Sequence, residues 1–163
     1  METQATISVA NYFIGKAQQE GTSLTPMKLL KLVYIAHGWA LGLYQTPLIA
    51  EEVQAWKYGP VVPSVYHDFR HYGRGHIERQ KPVFTNGEVF VPTVTDQETQ
   101  QLLDSVWNAY RQLDGLQLSD ITHRPNTPWD ITWNQRGGCN TRGAVIPPDV
   151  IQQHYQQLAE SRG

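Results

Sequence analysis

Cysteine is almost absent from this chain of 163 residues: Cys139 stands alone, so no internal disulfide can form. A single thiol suits a reducing compartment and points to a cytoplasmic protein. Long apolar runs are missing too. No stretch approaches the ~20 residues that cross a bilayer, and the start, METQATISVANYF, lacks the basic and apolar regions of a secretion signal. Charge of one sign is also lacking. The formal net charge is −2 and only 17% of residues are charged, so nothing pulls the whole molecule toward nucleic acid or anionic lipid. There is no internal repeat and no low-complexity segment. What remains is an ordinary globular composition, 40% hydrophobic, long enough for one substantial core. We expect a single domain over residues 1–163.

The hydrophobic pattern is mostly helical. A first helix is expected from Ser8 to Glu20, stopped by Gly21, with Gly15 marking close packing. A second runs from Pro26 to about Tyr44. Thr25 can cap it by accepting from a free first-turn N–H, and Pro26 at the first position gives up no hydrogen bond. This helix is apolar around much of its circumference and should be central. Gly38 and Gly42, four apart, would admit a neighbouring helix closely. A short extended segment within Leu48–Tyr58 leads to the turn at Gly59-Pro60. A third helix then spans Pro63 to Tyr72, with Gly73 as its stop.

Asn86-Gly87, between Pro82–Thr85 and Glu88–Val91, is the favoured two-residue turn of a β-hairpin. Two strands alone are marginal, so this hairpin is expected to lean on a helix or a third strand. Thr95 or Asp96 caps a fourth helix ending near Leu113. Short helices follow at Leu118–His123 and at Pro128–Asn134, the latter capped by Thr127. Arg136–Gly143 is a Gly-rich loop, and Pro147-Pro148 opens a last helix to about Glu160. The fold class is mainly α, with some β: about six helices and one small hairpin.

The residues that invite chemistry are few. His67 and His71 stand at i and i+4, the spacing of a zinc helix, but no third ligand follows. His37, the His67-Asp68 pair and Asp120 or Asp130 could fill the places of an HD-type metal-dependent phosphohydrolase, which would activate water against a phosphoester. The residues after that pair, Phe69-Arg70-His71, do not follow the HD pattern. His37 as a core residue, with His67 and His71 on a solvated face, is the simpler reading. Gly137-Gly138-Cys139 has no helix start behind it to cradle phosphate, so it reads as a surface loop. Its Arg136 and Arg142 leave an interaction role open. From His67 to Lys81, Arg70, Arg74, Arg79 and Lys81 outnumber Asp68 and Glu78. No recognition helix or RNP-like strand accompanies them, so a nucleic-acid-binding regulator is an alternative without a motif, and an acidic protein partner fits more simply. We therefore expect no catalytic residue, no metal and no cofactor.

One stretch is far more specific. TPMKLLKLVYIAHGW, followed by EEVQAWKYGPVVPSVY, resembles the Panacea domain family, which includes SocA-like antitoxins and phage-associated GepA-like proteins. The likeness takes in Ala10-Asn11-Tyr12-Phe13 upstream, then Leu118-Ser119, Ile121-Thr122-His123 and Thr127-Pro128-Trp129 downstream. The AWKYGPVVPSVY segment is its most distinctive part. The resemblance implies an antitoxin that neutralises a toxin encoded by an adjacent gene through direct binding. In the SocA-like branch it implies a further role as an adaptor delivering the toxin to a ClpXP-type protease. From the density of specified residues around the second helix, the AWKYGPV turn and the third helix, we expect the partner-binding surface there. Lys28, Lys31, Lys57 and Arg70 are its expected exposed cations, and Trp56 and Tyr58 its aromatic members. A charge reversal at Lys31 and Arg70 together should then weaken partner binding without unfolding the domain.

Overall fold

In the computed structural model, residues 1–162 are described. The described residues form seven helices and two small antiparallel sheets, one partly buried and one exposed. Helix α1 spans Thr6–Glu20 and ends on Gly21, which takes the left-handed conformation that closes its last turn. Helix α2 spans Pro26–Tyr44, and the Thr25 side chain accepts from the Lys28 N–H as expected. Sixteen of its nineteen residues are buried, which makes it the axis of the molecule. No helix among the described residues is long and apolar enough to cross a membrane.

The neighbours of α2 explain its glycines. Helix α7, Pro148–Arg162, lies against it through Tyr155. A Cβ on Gly38 would meet the Tyr155 ring at 2.2 Å, and one on Gly42 would meet the Tyr155 backbone carbon at 2.9 Å. At Gly42 the obstacle is backbone and at Gly38 the ring of the buried Tyr155, so the pair of glycines lets the two helices approach this closely. Tyr155 then packs edge-on against Trp39 (ring centroids 5.1 Å apart) and Tyr34 (6.3 Å). Helices α4, Gln97–Tyr110, and α5, Gly115–Thr122, cover other faces of α2. Asp96 caps α4, and Asp114 with Gln117 forms a reciprocal capping box on α5.

Strand β1, Gln54–Trp56, pairs with β2, Gly59–Val61, through a two-residue turn at Lys57-Tyr58. Strand β5, Ala144–Val145, joins the other edge of β1, giving the order β2-β1-β5. Strand β5 was not expected from the local residue pattern. Helix α3, Pro63–Phe69, continues into a tighter turn over Arg70–Tyr72 before Gly73. Helix α6, Pro128–Asp130, is capped by Thr127 and widens into a π-type turn over Ile131–Gln135.

The second hairpin, β3 (Val83–Thr85) and β4 (Glu88–Phe90), forms around Asn86-Gly87, both at positive φ. It corrects one expectation. The hairpin does not lie on a helix or a third strand: Phe84 is 75% exposed, and Val89, Phe90 and Val91 are exposed as well. It is held at its base instead. The buried Asn11 amide donates to the carbonyls of Lys81 and Pro92 (2.9 Å each), and its oxygen accepts from the Lys81 N–H at 2.7 Å. One side chain of α1 thus grips both legs of the ribbon.

Candidate interaction site

The WKYGP turn is built to hold its shape. Three backbone carbonyls along it, those of Trp56, Tyr58 and Pro60, each accept a hydrogen bond from a side chain on a different helix. The Trp129 indole N–H of α6 donates to Trp56 at 2.6 Å, and the Ser119 hydroxyl of α5 donates to Tyr58 at 2.8 Å. The Lys31 ammonium of α2 donates to Pro60 at 2.9 Å. The turn itself places the unusual backbone at Gly59, whose φ is +119°, a region L side chains rarely adopt. A Cβ there would also sit 2.8 Å from Lys31 Nζ. Glycine at this position therefore serves two ends, the backbone angle and the space for the ammonium.

The same geometry corrects the reading of two candidate residues. Lys31 is 2% exposed and Lys28 7%; neither is the exposed cation expected from the sequence. Lys28 donates through Nζ to the carbonyl of Arg111 and stands 5.5 Å from the Trp107 ring centroid. Each lysine fastens helix α2 to a distant segment through a carbonyl. Burial lowers the pKa of both, and in Lys31, with no carboxylate beside it, down to about 7. Charge reversal at Lys31 would put an unpaired carboxylate against a carbonyl in the core, so that substitution tests stability and not binding.

The other candidates do reach the surface. Lys57, Tyr58 and Arg70 are exposed and Trp56 is partly so. Tyr58 is 65% exposed, and the Lys57 ammonium lies over its ring, 5.5 Å from the centroid. The structure brings Trp56, Lys57 and Arg70 to one groove of about 620 Å³, and Tyr58 turns to the other side. There it lines a second cleft of about 820 Å³ with Met27, Leu116 and the stem of Lys28. Sequence reasoning did not foresee that the Gly-rich loop closes the first groove, through Cys139 and Arg142, or that Tyr66 and Trp133 line it. The signal for the turn's fasteners was present, since Ser119 and Trp129 both fall in the segments that carry the family likeness.

The histidines do not converge. His37 is buried in α2 with Nδ1 lacking a partner, and burial lowers its pKa to about 4, so it is neutral near pH 7. His67 and His71 are exposed at the end of α3, and Asp68 pairs with Lys81 at 3.2 Å. Among the described residues no three His, Cys, Asp or Glu side chains are arranged to hold a metal ion. That ion pair also neutralises part of the basic segment read from the sequence.

What the geometry defines is a set of fastened, outward-facing loops around a buried helix. The chain belongs to the family described as "Antitoxin SocA-like, Panacea domain", which residues 29–130 match. It is also similar to antitoxin SocA of Caulobacter vibrioides (strain NA1000 / CB15N): 29% identical over 152 residues, spanning 91% of this chain and 81% of that antitoxin. No solved structure matches the chain.

Proposed function

We propose that this protein is the antitoxin of a toxin–antitoxin pair, neutralising its toxin by direct, non-catalytic binding. Membership in an antitoxin family, over most of the chain's core, is the observation that carries the reading. The structure is compatible with it in a specific way. A turn whose carbonyls are held by three helices presents Lys57 and Tyr58 with little freedom left to lose on binding, and pre-ordered contacts cost less when a complex forms. The binding surface we propose comprises Trp56, Lys57, Tyr58 and Arg70, with Lys28 and Lys31 as internal supports. The partner is a toxin encoded beside this protein's own gene. The protein would act in the cytoplasm, and it would also deliver that toxin to a ClpXP-type protease.

The test is expression of the neighbouring open reading frame with and without this protein, scored by growth and by co-purification. Rescue together with a stable complex is expected. Equal killing in both cultures would refute neutralisation. Protease delivery is read separately, as a toxin half-life that shortens when the protein is present and lengthens when the protease is removed.

A further inference from the structure

The groove beside the turn has a one-sided charge. It is formed where three separate elements meet: the β1–β2 turn, the end of α3, and the loop that leads into β5. Each brings a cation, Lys57, Arg70 and Arg142, and no Asp or Glu lines the groove. The protein as a whole is slightly acidic, at net −2, so this local excess runs against its average. Among the described residues none of these three cations forms an ion pair, whereas Lys16, Lys81, Arg111 and Arg124 all do.

The remaining walls are aromatic. Trp56 stands edge-to-face with Tyr66, ring centroids 5.1 Å apart, and its indole N–H donates to Gln54 at 2.9 Å. Trp133 stacks on Trp129 at 5.6 Å, and Trp129 is the residue that holds the Trp56 carbonyl. Trp133 is thus tied to the turn through Trp129. Rigid aromatic walls with arginine at the margin are the composition of interface anchor points. A volume of about 620 Å³ falls within the ~300–1,000 Å³ of ligand clefts. It suits a short segment of chain better than a broad flat face.

We infer that this groove receives an acidic segment of the partner protein, whose carboxylates meet Lys57, Arg70 and Arg142 while an apolar side chain lies against Trp56 and Trp133. This rests on the proposed antitoxin function for the identity of the partner, but not for the chemistry of the groove. Arginine forks favour carboxylate through paired N–H donors, which gives the segment a register as well as attraction. A nucleic-acid strand would offer anions too. It requires a basic track extending along the surface, and the net charge of the molecule opposes it.

The experiment has two arms. In the first, fluorescence anisotropy follows a short fluorescein-labelled peptide alternating aspartate and leucine, its lysine-for-aspartate counterpart, and a single-stranded DNA oligonucleotide. Binding of the aspartate peptide alone is expected, weakening about tenfold or more in Arg70→Glu/Arg142→Glu. It should also weaken as salt rises from about 50 to about 200 mM. Both arginines are exposed, so the variant should keep the wild-type far-UV dichroism and melting temperature. No binding, equal binding by the variant, or preference for the DNA would each overturn the inference. In the second arm the same variant is co-expressed with the neighbouring open reading frame. Loss of rescue supports the groove as the toxin's seat, and full rescue overturns it. If the wild type binds the acidic peptide yet rescues nothing, the antitoxin reading falls and the groove's chemistry stands.

Discussion

A single lysine shows how far burial can change a residue's part. Lys31 sits in the most apolar helix of the molecule, donating to Pro60, and its pKa falls to about 7. Between pH 7 and the ordinary lysine range near 10, the unfolded chain keeps a proton on this amine that the folded protein has released. Stability therefore rises with pH across that window, and the gain is lost as pH falls toward 7. The change should be on the order of a few kcal/mol, since one pKa unit is worth about 1.4 kcal/mol. Melting temperatures measured from pH 7 to pH 10 should climb in the wild type and climb distinctly less in Lys31→Met, where the lowered Lys28 amine still contributes. A wild-type profile without slope would show that the amine is not desolvated as described. The residue beside it gives a second test. Gly59→Ala should lower stability by about 2–4 kcal/mol in denaturant titration, from backbone strain plus displacement of the ammonium.

At the scale of elements, one amide holds both legs of the exposed hairpin. Asn11→Ala removes three hydrogen bonds that tie Lys81 and Pro92 to α1. At about 1 kcal/mol net for each bond, the cost should be about 2–3 kcal/mol. Its signature is local: amides of Val83–Phe90 should exchange faster in deuterium while those of α2 remain protected. Uniform acceleration would mean that the hairpin is not a separate unit.

Elements whose signals are local were readable beforehand. Thr25-Pro26, Asp96, Thr127 and Asn86-Gly87 act within a few residues of themselves, and each begins or bends the chain as read. Strand β5 was not readable, because it exists only by pairing with β1 about ninety residues earlier. The burial of Lys28 and Lys31 escaped for a related reason. Their partners are carbonyls of Arg111 and Pro60, and a carbonyl leaves no mark in the sequence. One clue did exist: a helix apolar around most of its circumference leaves its lysines nowhere to go but inward. The candidate surface was half legible. Trp56, Lys57, Tyr58 and Arg70 are at the surface, but Arg142 joins them only through the tertiary fold.

Across the whole molecule, α2 is the element against which α1, α3, α4, α5, α7 and β2 all pack. Helix α7 is the farthest from it in sequence and among its most intimate neighbours, through Tyr155 against Gly38 and Gly42. Tyr155→Ala would open a cavity beside Trp39 and Tyr34 and should cost about 3–5 kcal/mol. The loss should be global. Far-UV dichroism and tryptophan fluorescence should show one coincident transition at lower temperature. Two separated transitions would make α7 an appendage instead of part of the core.

The threefold grip on the WKYGP turn acts on main-chain oxygens, which every amino acid carries. Lys57 and Tyr58 thus stand on a mounting indifferent to what they are. On the binding surface proposed above, exchanging them for other residues should change the partner affinity while leaving the melting curve where it was. A scaffold made this way separates the demands of folding from those of the two exposed side chains it carries.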